Sequence, residues 1–348
     1  MEIRELLIEC IDKGASDLHF TENEPPILRI DGKLFRTAAP ALNKLDLKKM
    51  IYAVLTSQQK VMFEKDLELD FSFALPGLDR FRVNIHLQKG SVEAAFRRVP
   101  LEIPTIEGLG LPPIISELAR RPNGLVLITG PTGMGKTTTL ATMVNLINNE
   151  RECLILCIED PIEFIFTNKK SIIKQREVYS DTHSFADSLR HALRQDPNVI
   201  VIGEMRDLET ISTALTAAET GHLVLATLHT PDAPQTIERI IDVFPPFQQS
   251  QVKLQLANCL QGVVSQLLLS HASGKGRILA TEVMIATSGI RNLIREQGVE
   301  QIPTLMQTGS QYGMHTMDKS LKELTQNGSI SLDVALSKVK NVDEFKQL

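Results

Sequence analysis

The segment GLVLITGPTGMGKTTTL, residues 124 to 140, constrains this chain more than any other part of its 348 residues. A short apolar run feeds a glycine-rich turn, and the turn feeds a helix-like stretch. Gly130, Gly135, Lys136 and Thr137 fit the phosphate-binding pattern G-x-x-x-x-G-K-[ST]. At ordinary residue frequencies that pattern arises by chance in roughly one chain of this length in a hundred, so the flanks decide. A strand before the loop and a helix after it are what the motif requires. Backbone N–H groups from Gly133 to Thr138, with the helix N-terminus behind them, then form a concave set of donors for phosphate oxygens. The expected nucleotide cradle is therefore Gly130, Pro131, Thr132, Gly133, Met134, Gly135, Lys136, Thr137 and Thr138. Lys136 would reach the β- and γ-phosphates, and the Thr137 hydroxyl would ligate Mg²⁺.

The same alternation continues beyond the loop. CLILCI, NVIVIG and HLVLATL are short, β-branched runs separated by helical patterns such as SFADSLRHALRQ, which suits a parallel sheet buried on both faces. The half before the loop reads differently. Ile3, Leu6, Leu7, Cys10 and Ile11 recur at helical spacing up to Gly14. PPILRIDGKLFRT reads as a hairpin about Asp31-Gly32, and a helical stretch covers residues 46 to 64. FSFAL, RFRVNIHLQ and VEAAFRRV alternate like strands, the last two joined by a turn at Lys89-Gly90-Ser91. The expected division is a small α+β domain over residues 1–100, a proline- and glycine-rich linker over 101–113, an α/β core over 114–285 and a helical C-terminal region over 286–348. After Pro245-Pro246 the chain reads as helical, with SQVKLQLANCLQGVVSQLLL as one long amphipathic helix.

Composition excludes several classes. A net charge of −5 gives no electrostatic case for attracting nucleic acid or acidic lipid to the whole protein. The opening MEIREL lacks the basic and apolar regions of a signal peptide, and no run approaches the ~18 apolar residues of a membrane span. Cys10, Cys153, Cys157 and Cys259 form neither a C-x-x-C pair nor a disulfide framework. These features point to a cytoplasmic protein.

A phosphate loop only binds; hydrolysis also needs acidic groups at neighbouring strand ends. CLILCIEDPIEF supplies Glu159, Asp160 and Glu163, and NVIVIGEMRD supplies Glu204, Arg206 and Asp207. In a parallel sheet such ends open on the same edge as the loop, where carboxylates orient Mg²⁺ or activate a water. Acidic surface loops are the plainer alternative. His222 and His229 bracket LVLATL, one on each side of the run. A strand-end histidine is commonly structural, but TLHT ends where a γ-phosphate would sit, and an imidazole there can sense it.

Taken together, GPTGMGKTTT, IEDPIEF, VIGEMRD and AETGHLVLATLHT resemble the Walker A motif, Asp box, Walker B motif and His box of the secretion ATPases. Within them the chain is most similar to the type IV pilus retraction ATPases, the PilT family. GASDLHF and PPILRIDG look like that family's PAS-like N-terminal domain, QREV recurs at Gln175 to Val178, and IRNLIRE at Ile290 to Glu296 resembles a signature of retraction enzymes. The resemblance implies a RecA-like P-loop ATPase core with a parallel-rich sheet, preceded by the PAS-like domain and followed by a helical C-terminal region. It implies a homohexameric, Mg²⁺-dependent ring that hydrolyses ATP at subunit interfaces. Arg82 and Arg97 would then reach a neighbour's nucleotide, although both also read as sheet-surface cations. Glu163, Glu204 and His229 would serve catalysis, Asp160 and His222 would contribute to the nucleotide site, and Glu204 would join Thr137 around the metal. Expected partners are an inner-membrane platform protein and the pilus machinery, met peripherally at the pilus base.

Two departures from the family pattern stand out: Met134 in place of a small residue, and Thr137 in place of the more common serine. RRVPLEIPTIEGLGLP and SGKGR look as much like an accessory retraction paralogue, PilU, as like the main motor. Assembly and secretion motors typically carry a tetracysteine zinc site and extra N-terminal domains, which are not found here. A nucleic-acid translocase on the same core is disfavoured by aromatics at 5% and the absence of tryptophan.

Overall fold

Strands that alternate apolar and polar residues build one part of this chain, and strands apolar on both faces build the other. The computed structural model describes residues 2–30, 32–75, 79–99, 102–296, 298–340, 342 and 345. It divides into two units, Met1–Glu102 with Pro161–Ile165, and Ile103–Asp160 with Phe166–Leu348.

The first unit opens with α1 (Ile3–Asp12), started by a reciprocal capping box between Glu2 and Glu5 and followed by Gly14 at φ +63°. The strands β1 (Asp17–Phe20), β2 (Ile27–Ile30) and β3 (Lys33–Arg36) come next. Ile30 pairs with Lys33, while Asp31 of the expected turn lies outside the described residues. The helical stretch expected over 46–64 is two helices, α2 (Lys44–Tyr52) and α3 (Ser57–Asp66). A capping box between Thr56 and Gln59 starts the second, and it decides the break against the apolar spacing. Then follow β4 (Glu68–Ala74), β5 (Arg80–Gln88) and β6 (Ser91–Val99). Lys89 and Gly90, both at positive φ, turn the chain between the last two, as a two-residue hairpin loop of the primed type requires. The sheet is antiparallel throughout, in the order β3-β2-β1-β6-β5-β4. Leu18, Phe20, Phe81, Val83, Ile85 and Phe96 turn inward to a core completed by α1–α3, which leaves the alternate residues on a polar face.

The second unit begins with α4 (Ile114–Ala119), β7 (Gly124–Thr129), α5 (Lys136–Glu150), β8 (Leu154–Glu159), β9 (Ile172–Glu177), α6 (Phe185–Ala192) and β10 (Val199–Ile202). It continues through α7 (Leu208–Glu219), β11 (Leu223–Leu228), α8 (Ala233–Asp242), α9 (Pro246–Cys259), β12 (Leu260–Ser270) and β13 (Arg277–Ile285). The helices α10 (Ser288–Glu296), α11 (Ile302–Thr308), α12 (Met317–Gln326) and α13 (Leu332–Leu336) follow. The sheet order is β13-β12-β7-β11-β10-β8-β9, parallel except for the last antiparallel hairpin β12–β13. Every residue of β7, β10 and β11 is buried, as continuous apolar runs between two helical layers demand. The fold is thus mixed α/β, an antiparallel-sheet unit and a parallel-rich one.

The long helix expected over SQVKLQLANCLQGVVSQLLL is a misreading. The helix stops at Cys259, and Leu260–Ser270 runs as a strand between β7 and β13. Apolar residues in QGVVSQLLL fit either period, and pairing with two neighbours settles the choice for the strand. The usable signal was the Ser273-Gly274-Lys275-Gly276 turn between two apolar runs, with both glycines at φ +74°. Strand β9 also escaped notice, because IIKQRE sits at a sheet edge and is largely polar.

Candidate functional site

Because β7, β11, β10 and β8 are consecutive parallel neighbours, their C-terminal ends share one edge of the sheet. From that edge rise the loop after Thr129, His229 after Leu228, Glu204 shortly after Ile202, and Asp160 after Glu159. Adjacent strands lie about 4.8 Å apart, so side chains from neighbouring tips can meet.

The loop is shaped by glycines with distinct tasks. Gly130 sits at φ +136°, and a Cβ there would come within 2.5 Å of the Gln266 carbonyl oxygen on β12. Gly133 and Gly135 are both at φ +80° with open space around them, so they answer to conformation alone. Gly135 is the N-cap of α5 and supplies no side-chain cap to its first turn. Lys136 is only 7% exposed. Its Nζ donates to the carbonyls of Gly130 at 2.7 Å and Pro131 at 3.0 Å. Met134 has a role that its rarity did not suggest: its sulfur accepts the Leu268 N–H from β12 at 3.2 Å. Gln266 Nε2 donates to Thr139 Oγ1 at 2.8 Å, tying β12 to α5 as well. Thr137 and Thr138 lie half-buried in the first turn of α5.

From Lys136 a chain of contacts crosses the three tips. Its ammonium lies 3.4 Å from His229 Nδ1, which also stands 3.3 Å from Thr132 Oγ1. On the other side, His229 Nε2 is 2.9 Å from Glu204 Oε1. The tautomer with its proton on Nε2 satisfies all three contacts, since it donates to the carboxylate and accepts from the hydroxyl and the ammonium. Arg206 grips the same carboxylate, with Nε at 2.7 Å from Oε1 and Nη2 at 2.7 Å from Oε2. Burial alone would raise the Glu204 carboxyl, but the hydrogen bonds from Arg206 and His229 outweigh it and hold the carboxyl below its ordinary range. The same pairing pushes the Arg206 guanidinium upward. Met205 N–H donates to the Thr227 carbonyl, and the Thr227 hydroxyl donates to the Gly203 carbonyl, fixing the tip of β10 to that of β11.

The remaining expected residues are placed as follows. Asp160 is exposed at the end of β8, next to a buried Glu159 that accepts from Gln175 Nε2 at 2.9 Å. Asp207 caps α7 through the Thr210 N–H. His222 stands at the opposite end of β11 from His229, with Nδ1 3.0 Å from the Ala217 carbonyl. About 20 Å of extended chain separates the two histidines, so one protomer does not bring His222 to the loop.

Arg82, Arg97 and Glu163 all belong to the first unit. Strand register sets Arg29, Asp17, Arg97 and Arg82 in one row across β2, β1, β6 and β5. Directly opposed like charges are unfavourable, and carboxylates relieve them. Buried Asp17 accepts Arg97 Nε at 2.9 Å and lies 3.8 Å from Arg29 Nε, while Arg82 Nη1 stands 3.9 Å from Glu163 Oε1. Asp17 was missed by sequence reasoning, because only the register between distant strands reveals what it faces.

The family model described as "Type II/IV secretion system protein" matches residues 2–341. The chain is 48% identical over 345 residues to the type IV pilus retractation ATPase PilT of Pseudomonas aeruginosa, covering 99% of this chain and 100% of that one. It is 46% identical over 320 residues to the twitching motility protein of Neisseria gonorrhoeae, covering 92% and 86% respectively. A crystal structure of the pilus retraction motor PilT with bound ADP superposes with a TM-score of 0.93 at 48% identity, covering 100% of both chains.

The two kinds of glycine in the loop separate experimentally. Gly133→Ala is expected to destabilise by about 1 kcal/mol through backbone strain alone. Gly130→Ala adds a backbone collision and should lose about 3 kcal/mol or more. Urea unfolding of both variants checks the order, and equal losses would remove the role assigned to the Gln266 carbonyl.

Proposed function

The chain belongs to the type II/IV secretion system protein family, and on that premise we propose that it is the ATPase motor that retracts a type IV pilus and so drives twitching motility. One observation carries this reading: end-to-end similarity to PilT at 48% identity, over a chain whose strand tips assemble a phosphate loop, a histidine and a carboxylate on one sheet edge. In this reading the parallel-rich unit is a RecA-like core, and the six-stranded unit is a PAS-like domain. The division runs 1–100, 101–113, 114–285 and 286–348. The motor acts at the cytoplasmic face of the inner membrane, against a platform protein at the pilus base. Among the described residues, no helix is long and apolar enough to cross a membrane.

The site suits ATP with Mg²⁺. First-turn N–H groups of α5 and the loop glycines would hold the phosphates, and Lys136 would exchange the Gly130 and Pro131 carbonyls for phosphate oxygens. Among the described residues no group of three or more His, Cys, Asp or Glu side chains is placed to hold a metal by itself. In this reading the ion arrives with the nucleotide and is held by phosphates, the Thr137 hydroxyl and the vicinity of Glu204. Mg²⁺ would neutralise charge developing on the phosphates. In this reading His229, which contacts Lys136 and Glu204, registers whether a γ-phosphate is present. Arg206 is mostly exposed, so its pair with Glu204 can open when a charged ligand competes.

Cells lacking the gene should be hyperpiliated and unable to twitch, and the unaltered gene should restore both traits. Lys136→Ala should restore neither, and the purified variant should lose at least ~10³-fold in turnover. Bald cells on deletion would mean assembly instead of retraction.

In this reading Glu163 is the base that activates water and Glu204 supports the metal. Glu163→Gln should bind ATP and Mg²⁺ normally yet turn over very slowly, while Glu204→Gln should raise the Mg²⁺ requirement. A Mg²⁺ titration in which only the Glu163 variant shifts would reverse the roles.

Arg82 and Arg97 act in trans as fingers within a homohexamer, an arrangement that can supply 10³–10⁵ in rate. Mixing inactive Arg97→Ala and inactive Lys136→Ala subunits should recover turnover at interfaces that pair an intact finger with an intact loop. Mixed rings that stay inactive would place the arginines in cis.

A further inference from the structure

After the His229 loop lies a cluster of two buried carboxylates and an exposed lysine that the mechanism above does not use. Asp232 is three residues after His229 and is the N-cap of α8, where its Oδ1 accepts the Gln235 N–H at 2.8 Å. Glu282, from β13, is 4% exposed. Its Oε1 accepts the Ala233 N–H at the start of α8 at 2.9 Å, and its Oε2 accepts the Met317 N–H at the start of α12 at 3.4 Å. One carboxylate thus serves the positive ends of two helices. Lys340 closes the cluster: its Nζ lies 2.7 Å from Asp232 Oδ2 and 4.0 Å from Glu282 Oε2. Its backbone N–H donates to Asp318 Oδ1 in the first turn of α12 at 3.2 Å.

The position of this cluster in the chain gives it a consequence. Within the segment from His229 to Ala233, His229 meets Glu204, Lys136 and Thr132, and Thr230 Oγ1 lies 2.6 Å from Thr236 Oγ1. Asp232 also accepts from Gln235 Nε2 at 2.8 Å and, through its carbonyl, from the Thr236 hydroxyl at 2.6 Å. The far end of the segment is gripped by Glu282 and, through Asp232, by Lys340. Both carboxylates are buried and Lys340 is the cation beside them, so removing its charge weakens the hold on this end of the segment. Burial raises the Glu282 carboxyl, opposed by the adjacent Lys340 ammonium and the two backbone N–H groups.

We infer that Lys340 and Glu282 are positioning residues for His229, so that the C-terminal segment sets the geometry of the nucleotide site. This rests on the ATPase reading for its kinetic consequence but not for its structural one. Anything that draws the C-terminal segment away, such as an engaged partner, loosens the loop that faces the γ-phosphate position. Coupling of this kind needs a physical connection between the two places: Lys340 is paired with Asp232, and the three-residue step of backbone from Asp232 back to His229 carries the rest.

Lys340 is 54% exposed at its side chain, so replacing it should not unfold the protein. In the full chain, Lys340→Met is expected to lower kcat for ATP about tenfold with KM nearly unchanged, as a small misplacement of a remote group can do. Lys340→Arg should restore most of the rate. Asp232→Asn combined with Lys340→Met should lose no more than Lys340→Met alone, since both break one link. A second readout is independent of turnover: the NMR ring resonances of His229 should move in Lys340→Met, while those of His222, at the far end of the same strand, should not. Unmoved His229 resonances, or a lowered melting temperature with unaltered kcat, would make the cluster merely structural and overturn the inference. If the unaltered chain hydrolysed no ATP, the ATPase reading would fail, and the histidine resonances would still decide the positioning role.

Discussion

The parallel pairing of β7, β11 and β10 is the constraint on which the rest depends. Parallel strands deliver their C-terminal tips to one edge at a spacing of about 4.8 Å, and here those tips carry a phosphate loop, a histidine and a glutamate. No residue of the site has to be held by a long excursion of chain. The lysine, the imidazole and the carboxylate touch because the strands beneath them are hydrogen-bonded neighbours. Shifting β11 by one residue would turn His229 to the other face of the sheet and break the chain of contacts.

That edge is held from behind by the hairpin β12–β13. Its backbone passes so close to Gly130 that no side chain fits, its Leu268 N–H meets the Met134 sulfur, and its Gln266 reaches Thr139 in the helix after the loop. Glu282 on the same hairpin anchors the start of α8, immediately after the His229 segment. The hairpin therefore braces the loop at Gly130 and Met134, and it also joins that edge to the C-terminal helices.

Charge is arranged with similar economy. In the parallel-sheet unit an ammonium, an imidazole, a carboxylate and a guanidinium form one connected series, and the carboxylate stays ionised because its hydrogen bonds outweigh its burial. In the antiparallel unit, arginines stand directly opposite one another across strands, an unfavourable placement relieved by Asp17 and Glu163.

Much of this was legible in the residues themselves. Gly130, Gly135, Lys136 and Thr137 announce a phosphate loop through spacing alone, because only glycines allow the backbone to take those angles and come that close. The runs ending at Glu159, Ile202 and Leu228 read as buried strands, since unbroken β-branched sequence between helices has no other stable place. Local signals failed where two periods fitted the same residues: QGVVSQLLL reads as helix until β7 and β13 pair with it. They failed also where partners lie far apart in sequence. That His229 meets Glu204 while His222 faces away, and that Asp17 answers Arg97 across a sheet, were decided by strand order and register, and that Lys340 reaches Asp232 was decided by how the C-terminal segment packs beside β13 and α8. Residue type and spacing determine what chemistry a chain carries; hydrogen-bonded pairing between distant segments determines which of those groups meet.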